Sequence, residues 1–253
     1  MGLLEVKDAI CCLNVKTLSL ALRSPRQVRR YVSYCSKTYD EAAGRGLPAR
    51  SPVTPAEDAT ITIPAYHSGG GMSFAELVIM ARVAKTRQPR KIFEMGTYNG
   101  LTTAVLMLNS APNSAVITLD LPPASQVKSE NLQSDKDLIS NRDLASVPRA
   151  LGLQRYTQLL CDSMQFDPKP YENSIDLGLV DAAHDRTHVQ NDTLKMSKMM
   201  TDDGMVFWHD YGGKGLLRPL ASYLEHLAKR CPIFRVPETS LAWAPASGLK
   251  AAF

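Results

Sequence analysis

The chain has 253 residues, 44% of them apolar and 21% charged, enough to bury a sizeable core and consistent with one domain carrying appendages. Lys and Arg outnumber Asp and Glu by 29 to 25, an excess too small and too dispersed for a nucleic-acid partner. No run approaches the ~18 apolar residues of a membrane span, and Glu5, Lys7 and Asp8 stand where a signal peptide would be apolar, so a soluble, cytoplasmic protein with no membrane partner is expected.

Residues 1–65 read as an N-terminal helical appendage. Val6 to Leu22 carries apolar residues at helical spacing, and Ser24-Pro25 offers an N-cap and a first-turn proline for a second helix to about Ala43. Gly44, Gly46, Pro48, Pro52 and Pro55 then break the pattern. Arg26, Arg29 and Arg30 read as a solvated helix face. The apolar faces need cover, from the main domain, as a roof on a substrate site, or from a second copy in a homo-oligomer.

Between Ile61 and Met72, the stretch Tyr66, His67, Ser68 and Gly69-Gly70-Gly71 reads as a flexible connection whose glycines leave backbone amides open to a ligand. Ser73 and Glu76 form a capping box for a helix from Phe74 to Lys85 that buries Leu77, Met80, Ala81 and Ala84. Pro89 ends that helix ahead of the first strand.

The segment Lys91 to Asp120 is the centre around which the rest of the chain is organised. Ile92 and Phe93 open a strand, Glu94, Gly96 and Gly100 spell E-x-G-x-x-x-G, Leu101 to Leu108 is helical, and a second apolar run ends at Asp120. Strand, glycine turn, helix and strand place a nucleotide-like ligand at the first strand's carboxyl end, with an acidic residue for ribose hydroxyls. The G-x-G-x-x-G of a dinucleotide cradle is not there.

Residues 121–150 begin with Pro122-Pro123 and stay polar, which reads as a lid-like insertion with a short helix near Asp137 to Leu144. Strands are expected at Tyr156 to Leu160, Ile175 to Val180 and Met205 to Trp208, with a helix from about Val189 to Met200 and a turn at Asp202-Asp203-Gly204. Glu94, Asp120, Asp162, Asp181 and Asp210 lie within or at the ends of five successive strands, and a parallel sheet brings such ends to one rim. The five cysteines, Cys11, Cys12, Cys35, Cys161 and Cys231, are odd in number and form no C-x-x-C pair, which suggests reduced thiols and argues against structural zinc. Gly212, Gly213 and Gly215 lead into a helix through Leu220, Leu224 and Leu227, and Ile233 to Val236 and Leu241 to Ala244 read as the last two strands.

Glu94 to Gly100, Asp120-Leu121-Pro122-Pro123, Cys161-Asp162-Ser163 and Val180 to Asp185 together resemble the class I S-adenosylmethionine-dependent methyltransferases. Asn191-Asp192-Thr193 and Gly204 to Tyr211 are most similar to a bacterial subgroup that itself resembles macrolide-sugar O-methyltransferases. The resemblance covers about Phe74 to Ala244, so residues 66–253 are expected as the catalytic domain. It implies a Rossmann-like, seven-stranded, mostly parallel α/β sheet with helices on both faces, the last two strands forming an antiparallel edge hairpin.

The same resemblance implies S-adenosylmethionine as cofactor and a small hydroxylated acceptor, such as a sugar, as partner. Gly96 would let the backbone approach the methionine part, Glu94 would order that loop or contact the cofactor amine, Asp120 would accept both ribose hydroxyls, Asp162 and Ser163 would meet the adenine, and Thr97, Tyr98, Gly100, Leu121 and Asp181 are the other expected cofactor-binding residues. Asp181, His209 and Asp210 match a divalent metal site, for magnesium or a transition metal, and His184 matches a general base. His67 is the next candidate base. Two other functions fit less of the pattern: a nicotinamide-dependent oxidoreductase, and a non-catalytic S-adenosylmethionine-binding module.

Overall fold

Lys91–Met95, Ile175–Val180 and the end of Met200–Trp208 are buried almost without alternation, as strands covered by helices on each side are, whereas the edge strand Tyr156–Leu160 is only partly buried. The computed structural model describes residues 46–53, 59–65, 71–122, 142–212 and 218–253. The two expected N-terminal helices, the loop from Tyr66 to Gly70, most of the 121–150 insertion, Gly213, Gly215, Cys11, Cys12 and Cys35 lie outside those residues.

In chain order the described elements are α1 (Phe74–Arg87), β1 (Lys91–Met95), α2 (Leu101–Asn109), β2 (Ala115–Asp120), α3 (Ser146–Ala150) and β3 (Tyr156–Leu160). They continue with β4 (Ile175–Val180), α4 (Arg186–Met199), β5 (Met200–Trp208), α5 (Arg218–Leu227), β6 (Phe234–Arg235), β7 (Ala242–Pro245) and α6 (Ala246–Lys250). A single 3₁₀ turn, Lys169–Tyr171, precedes β4.

The strands form one seven-stranded sheet in the order β3-β2-β1-β4-β5-β7-β6. β1 pairs in parallel with β2 and β4, and β5 continues that parallel run, whereas β7 is antiparallel to both β5 and β6. The expected Rossmann-like sheet and its edge hairpin are therefore present. The chain moves outward from β1 to β2 and β3, then returns to lay β4 on the other side of β1. This reversal opens a crevice at the carboxyl ends of β1 and β4, where ligands of open α/β sheets bind.

Alternate residues of each strand feed opposite cores. Met205 and Phe207 join α1 and α2 through Met80, Ala84, Val105 and Leu106. Val206 and Trp208 join α4, α5 and α6 through Val189, Met196, Leu224 and Leu249. Helices thus cover both faces.

Local chemistry sets most element boundaries. The Ser73–Glu76 capping box starts α1, and Gln88 in the left-handed conformation ends it. Asp185 caps α4 by accepting the Thr187 and His188 amides, so that helix starts a turn earlier than apolar spacing predicts. The expected turn at Asp202 to Gly204 is absorbed into β5 as an irregularity. Ile175 pairs with Met200 but Leu177 pairs with Met205, so β5 carries extra residues opposite Asp176. Of the expected helix Asp137 to Leu144 only residues 142–144 are described, and they are irregular; α3 follows them.

Two segments assigned by sequence to the appendage dock on the sheet domain. Leu47 donates its amide to Tyr211 Oη at 2.8 Å, Ala49 bridges to Arg235, and Arg50 lies over the Phe234 ring at 5.0 Å. Asn109 binds both backbone groups of Thr62, accepting its amide and donating to its carbonyl, each at 2.7 Å. Cys161 and Cys231 are free thiols. Among the described residues no helix is long and apolar enough to cross a membrane.

Candidate active site

The loop after β1 is shaped by its glycines. Gly96 has φ +100, and a Cβ on it would lie 2.0 Å from the Asp181 carbonyl oxygen. Only glycine lets the β1 and β4 ends approach so closely. Tyr98 adopts φ +49, in the left-handed region that non-glycine residues seldom enter. Gly100, at φ +79, then turns the chain into α2.

This loop folds over the end of β2. Asp120 Oδ2 accepts the Thr97 amide at 3.1 Å and the Tyr98 amide at 2.8 Å. Its Oδ1 accepts the Leu121 amide at 2.7 Å and lies 3.2 Å from Arg142 Nη1. Burial raises the Asp120 pKa, and Arg142 and the three amides act against that rise. Four donors nearly exhaust the carboxylate's lone pairs. Of the four, Arg142 is the one a ligand can displace without unwinding the β1 or β2 connection.

Glu94 sits below the loop, out of contact with the cleft. It is fully buried, its Oε2 accepting the hydroxyls of Thr103 at 2.5 Å and Thr118 at 2.8 Å. Thr118 in turn shares a 2.7 Å hydrogen bond with Thr97 of the loop. Burial pushes the Glu94 carboxyl up to about 8, so at neutral pH it is largely the protonated partner of two hydroxyls.

One cleft collects most of the residues singled out by sequence. Gly96, Thr97, Tyr98, Asp120, Leu121, Asp162, Ser163, Asp181, His184 and Asp210 line it, and Glu94, Gly100 and His209 do not. On the far wall, Ser163 is held through its carbonyl, which accepts from Asn191 Nδ2 at 3.0 Å and Lys195 Nζ at 2.5 Å.

The opposite end of the cleft holds an acid–imidazole cluster. Asp181 follows β4, and its amide donates to Met95 O at 2.8 Å. Asp210 follows β5 with φ +62, a sharp turn that brings its Oδ2 to 2.9 Å from His184 Nε2. One ligand atom from each of Asp181, His184 and Asp210 lies within 4.8 Å of the others. A divalent ion with bonds of about 2.1–2.5 Å fits such spacing.

His209 has a different place. Its ring is buried behind the cluster, with Nδ1 at 3.0 Å from Asp181 Oδ1 and Nε2 at 3.3 Å from Glu76 Oε2. Burial works against charge on this ring, but Asp181 and Asp210 outweigh it and hold its pKa well above the ordinary 6.5. With both nitrogens turned to carboxylates, His209 is an imidazolium donor. Burial likewise opposes ionisation of Asp210, and the two histidines overcome it, holding that carboxyl well below its ordinary range.

Sequence reasoning missed two participants. Arg142 emerges from an irregular stretch with no motif around it. Glu76 was legible as half of a capping box, but nothing local signalled its second partner 133 residues away.

Residues 93–211 match the family model described as a methyltransferase domain. A comparison with curated proteins finds no match. Among solved structures, cofactor-bound Rv0187 from MTB is similar with a TM-score of 0.54 at 14% identity, over 71% of this chain and 83% of that one. A putative caffeoyl-CoA O-methyltransferase from Staphylococcus aureus gives 0.52 at 11% identity, over 72% and 85% of the two chains. The O-methyltransferase TomG from Streptomyces achromogenes, solved with S-adenosylmethionine, gives 0.50 at 14% identity, over 70% and 82%. At these identities the likeness is one of fold. The match over the strands that build the cleft and the fold shared with these structures agree in likening residues 93–211 to a methyltransferase domain.

Proposed function

We propose that the protein transfers the methyl group of S-adenosylmethionine to a hydroxyl of a small polyhydroxylated acceptor, with Asp181, His184 and Asp210 at the reacting hydroxyl. The observation that carries this reading is the continuity of one cleft. Its glycine-loop half, Gly96 to Tyr98 with Asp120 and Leu121, suits the amino-acid and ribose parts of the cofactor, Asp162 and Ser163 suit the adenine, and its other end is the acid–imidazole cluster. The O-methyltransferases among the structural neighbours agree with oxygen as the acceptor atom.

The sulfonium already activates the methyl group. The acceptor oxygen forms the new C–O bond as the C–S bond breaks, leaving a thioether, and the hydroxyl proton must depart. The protein therefore has to align the two partners and favour the ionised acceptor. Two carboxylates and one imidazole make a donor set that fits a divalent ion, and the nitrogen ligand favours a transition metal over magnesium. Asp181, His184 and Asp210 would hold that ion, which would supply Lewis-acid polarisation of the hydroxyl. His209, matched to a ligand by family resemblance, is assigned here to the positive charge behind the two carboxylates.

A second reading rests on the 2.9 Å contact between His184 Nε2 and Asp210. There the aspartate orients the imidazole, and His184 takes the proton with no metal. Methyl transfer to a panel of sugars and catechols, before and after chelation and Mn²⁺ restoration, separates the two. Loss on chelation with recovery on Mn²⁺ supports the metal reading, whereas full turnover after chelation supports the base. No methylated oxygen in any arm would defeat both. In either case His184→Ala should lower the rate by roughly 10²–10⁴-fold.

A further inference from the structure

We propose that Glu76, on α1 and outside the cleft, is a positioning residue for the metal-binding carboxylates, acting on Asp181 and Asp210 through His209. The inference rests on the metal reading of that cluster.

Glu76 has more partners than a helix cap requires. The residue is 4% exposed, and both of its carboxylate oxygens are engaged. Oε1 accepts the Ser240 amide at 2.6 Å and the Ser240 hydroxyl at 2.5 Å. Oε2 accepts the Ser73 amide at 2.7 Å and lies 3.3 Å from His209 Nε2. The Ser73 bond completes the capping box, and a glutamine would satisfy it as well. The contacts with Ser240 and His209 do not belong to the cap, and they need an acceptor on every side.

The geometry then runs outward to the cluster. An imidazole is rigid, so fixing Nε2 against Glu76 fixes the rotation of the ring and with it the direction of Nδ1. Nδ1 points into the gap between the ends of β4 and β5, at 3.0 Å from Asp181 Oδ1 and 3.3 Å from Asp210 Oδ2. The ring thus bridges the two carboxylates on their buried side and fixes where their oxygens stand relative to the cleft. Asp210 is also held in a left-handed backbone turn, so its carboxylate direction depends on such contacts rather than on relaxed backbone geometry. Ser240 ties the arrangement from a third side, because its carbonyl accepts the Tyr211 amide at 2.8 Å next to Asp210. Glu76 thus joins α1, the β6–β7 connection and the β5 end at one point.

The test measures binding of Mn²⁺ alone by electron paramagnetic resonance, and of S-adenosylmethionine by calorimetry, in the full chain. Glu76→Asp keeps the charge and the cap acceptor but draws the carboxylate back by about one C–C bond, ~1.5 Å. It should weaken Mn²⁺ binding by roughly 10–100-fold, the scale for losing a group that orients a metal ligand, while S-adenosylmethionine affinity stays within about twofold. Glu76→Gln, which sets an amide donor against His209 or Ser240, should weaken Mn²⁺ at least as much. Ser73→Ala is the control for a purely structural role: it removes the cap acceptor for the Glu76 amide, should lower the melting temperature, and should leave Mn²⁺ affinity unchanged. If the parent binds Mn²⁺ and folded Glu76→Asp binds it equally well, the positioning role is wrong. It is also wrong if Ser73→Ala weakens Mn²⁺ as much as Glu76→Asp does. If the parent itself binds no Mn²⁺, the metal reading fails and this inference falls with it.

Discussion

Glu94 separates what a motif announces from what its side chain does. The family resemblance left Glu94 either to order the glycine loop or to contact the cofactor amine, and the carboxyl is buried under the loop between the Thr103 and Thr118 hydroxyls. Its role is to hold Thr118 and, through it, Thr97 of the loop. The consequence is a pH dependence of stability. Burial raises the folded-state pKa from 4.5 to about 8, so across that window the folded chain holds a proton that the unfolded chain has released. Stability from this group is therefore greatest below about 4.5 and declines as pH rises toward about 8. Glu94→Gln keeps a neutral acceptor without the titration. In urea unfolding from pH 5.5 to 8.5, the variant should gain on the parent as pH rises, by on the order of a few kcal/mol over the window. A stability difference that is flat with pH would show that Glu94 is ionised in the folded protein. Gly96 and Asp120 were legible because a tight turn and a strand-end carboxylate leave local signatures. Arg142 and the Glu76–His209 contact were not, because each joins residues that only the fold brings together.

Elements were legible where capping chemistry and apolar period agreed. Ser73 with Glu76 marked the start of α1, and strands β1, β2, β3 and β4 fell within a residue or two of their apolar runs. β5 was read short because Asp202, Asp203 and Gly204 look like a turn. In the sheet they form an irregular stretch of the same strand, Asp202 and Asp203 exposed and Gly204 buried, and the register slip against Asp176 has no signature in local spacing. The segment at residues 46–53 was read as part of a separate appendage, since prolines and glycines interrupt it. Its attachment depends on long-range partners, chiefly Tyr211, whose Oη accepts the amide of buried Leu47. Tyr211→Phe leaves that amide without its acceptor, which costs about 1–3 kcal/mol. Hydrogen exchange should show faster exchange at Leu47 with the strand amides of β1 and β4 unchanged. Unaltered protection at Leu47 would mean that Ala49, Arg50 and their partners hold the segment alone.

At the scale of the whole molecule, the recurrence of acidic residues at successive strand ends carried most of the functional reading. The order β3-β2-β1-β4-β5 gathers those ends on one rim and sets the switch between β1 and β4 beneath the glycine loop. The proposed division of labour along the cleft follows the same order: β1, β2 and β3 would supply the nucleoside half, and β4 and β5 carry the acid–imidazole cluster. Asp120 is the pivot of the account, since it receives the loop amides and stands where a ribose would lie. Calorimetry of S-adenosylmethionine binding to the parent and to Asp120→Asn tests this most directly. The parent should bind S-adenosylmethionine and not NAD, and the folded variant should bind it more weakly by about 1.5–3 kcal/mol, the range for hydrogen bonds to a charged group. A parent that binds NAD instead, or an Asp120→Asn protein that is folded and binds S-adenosylmethionine as tightly as the parent, would contradict the account.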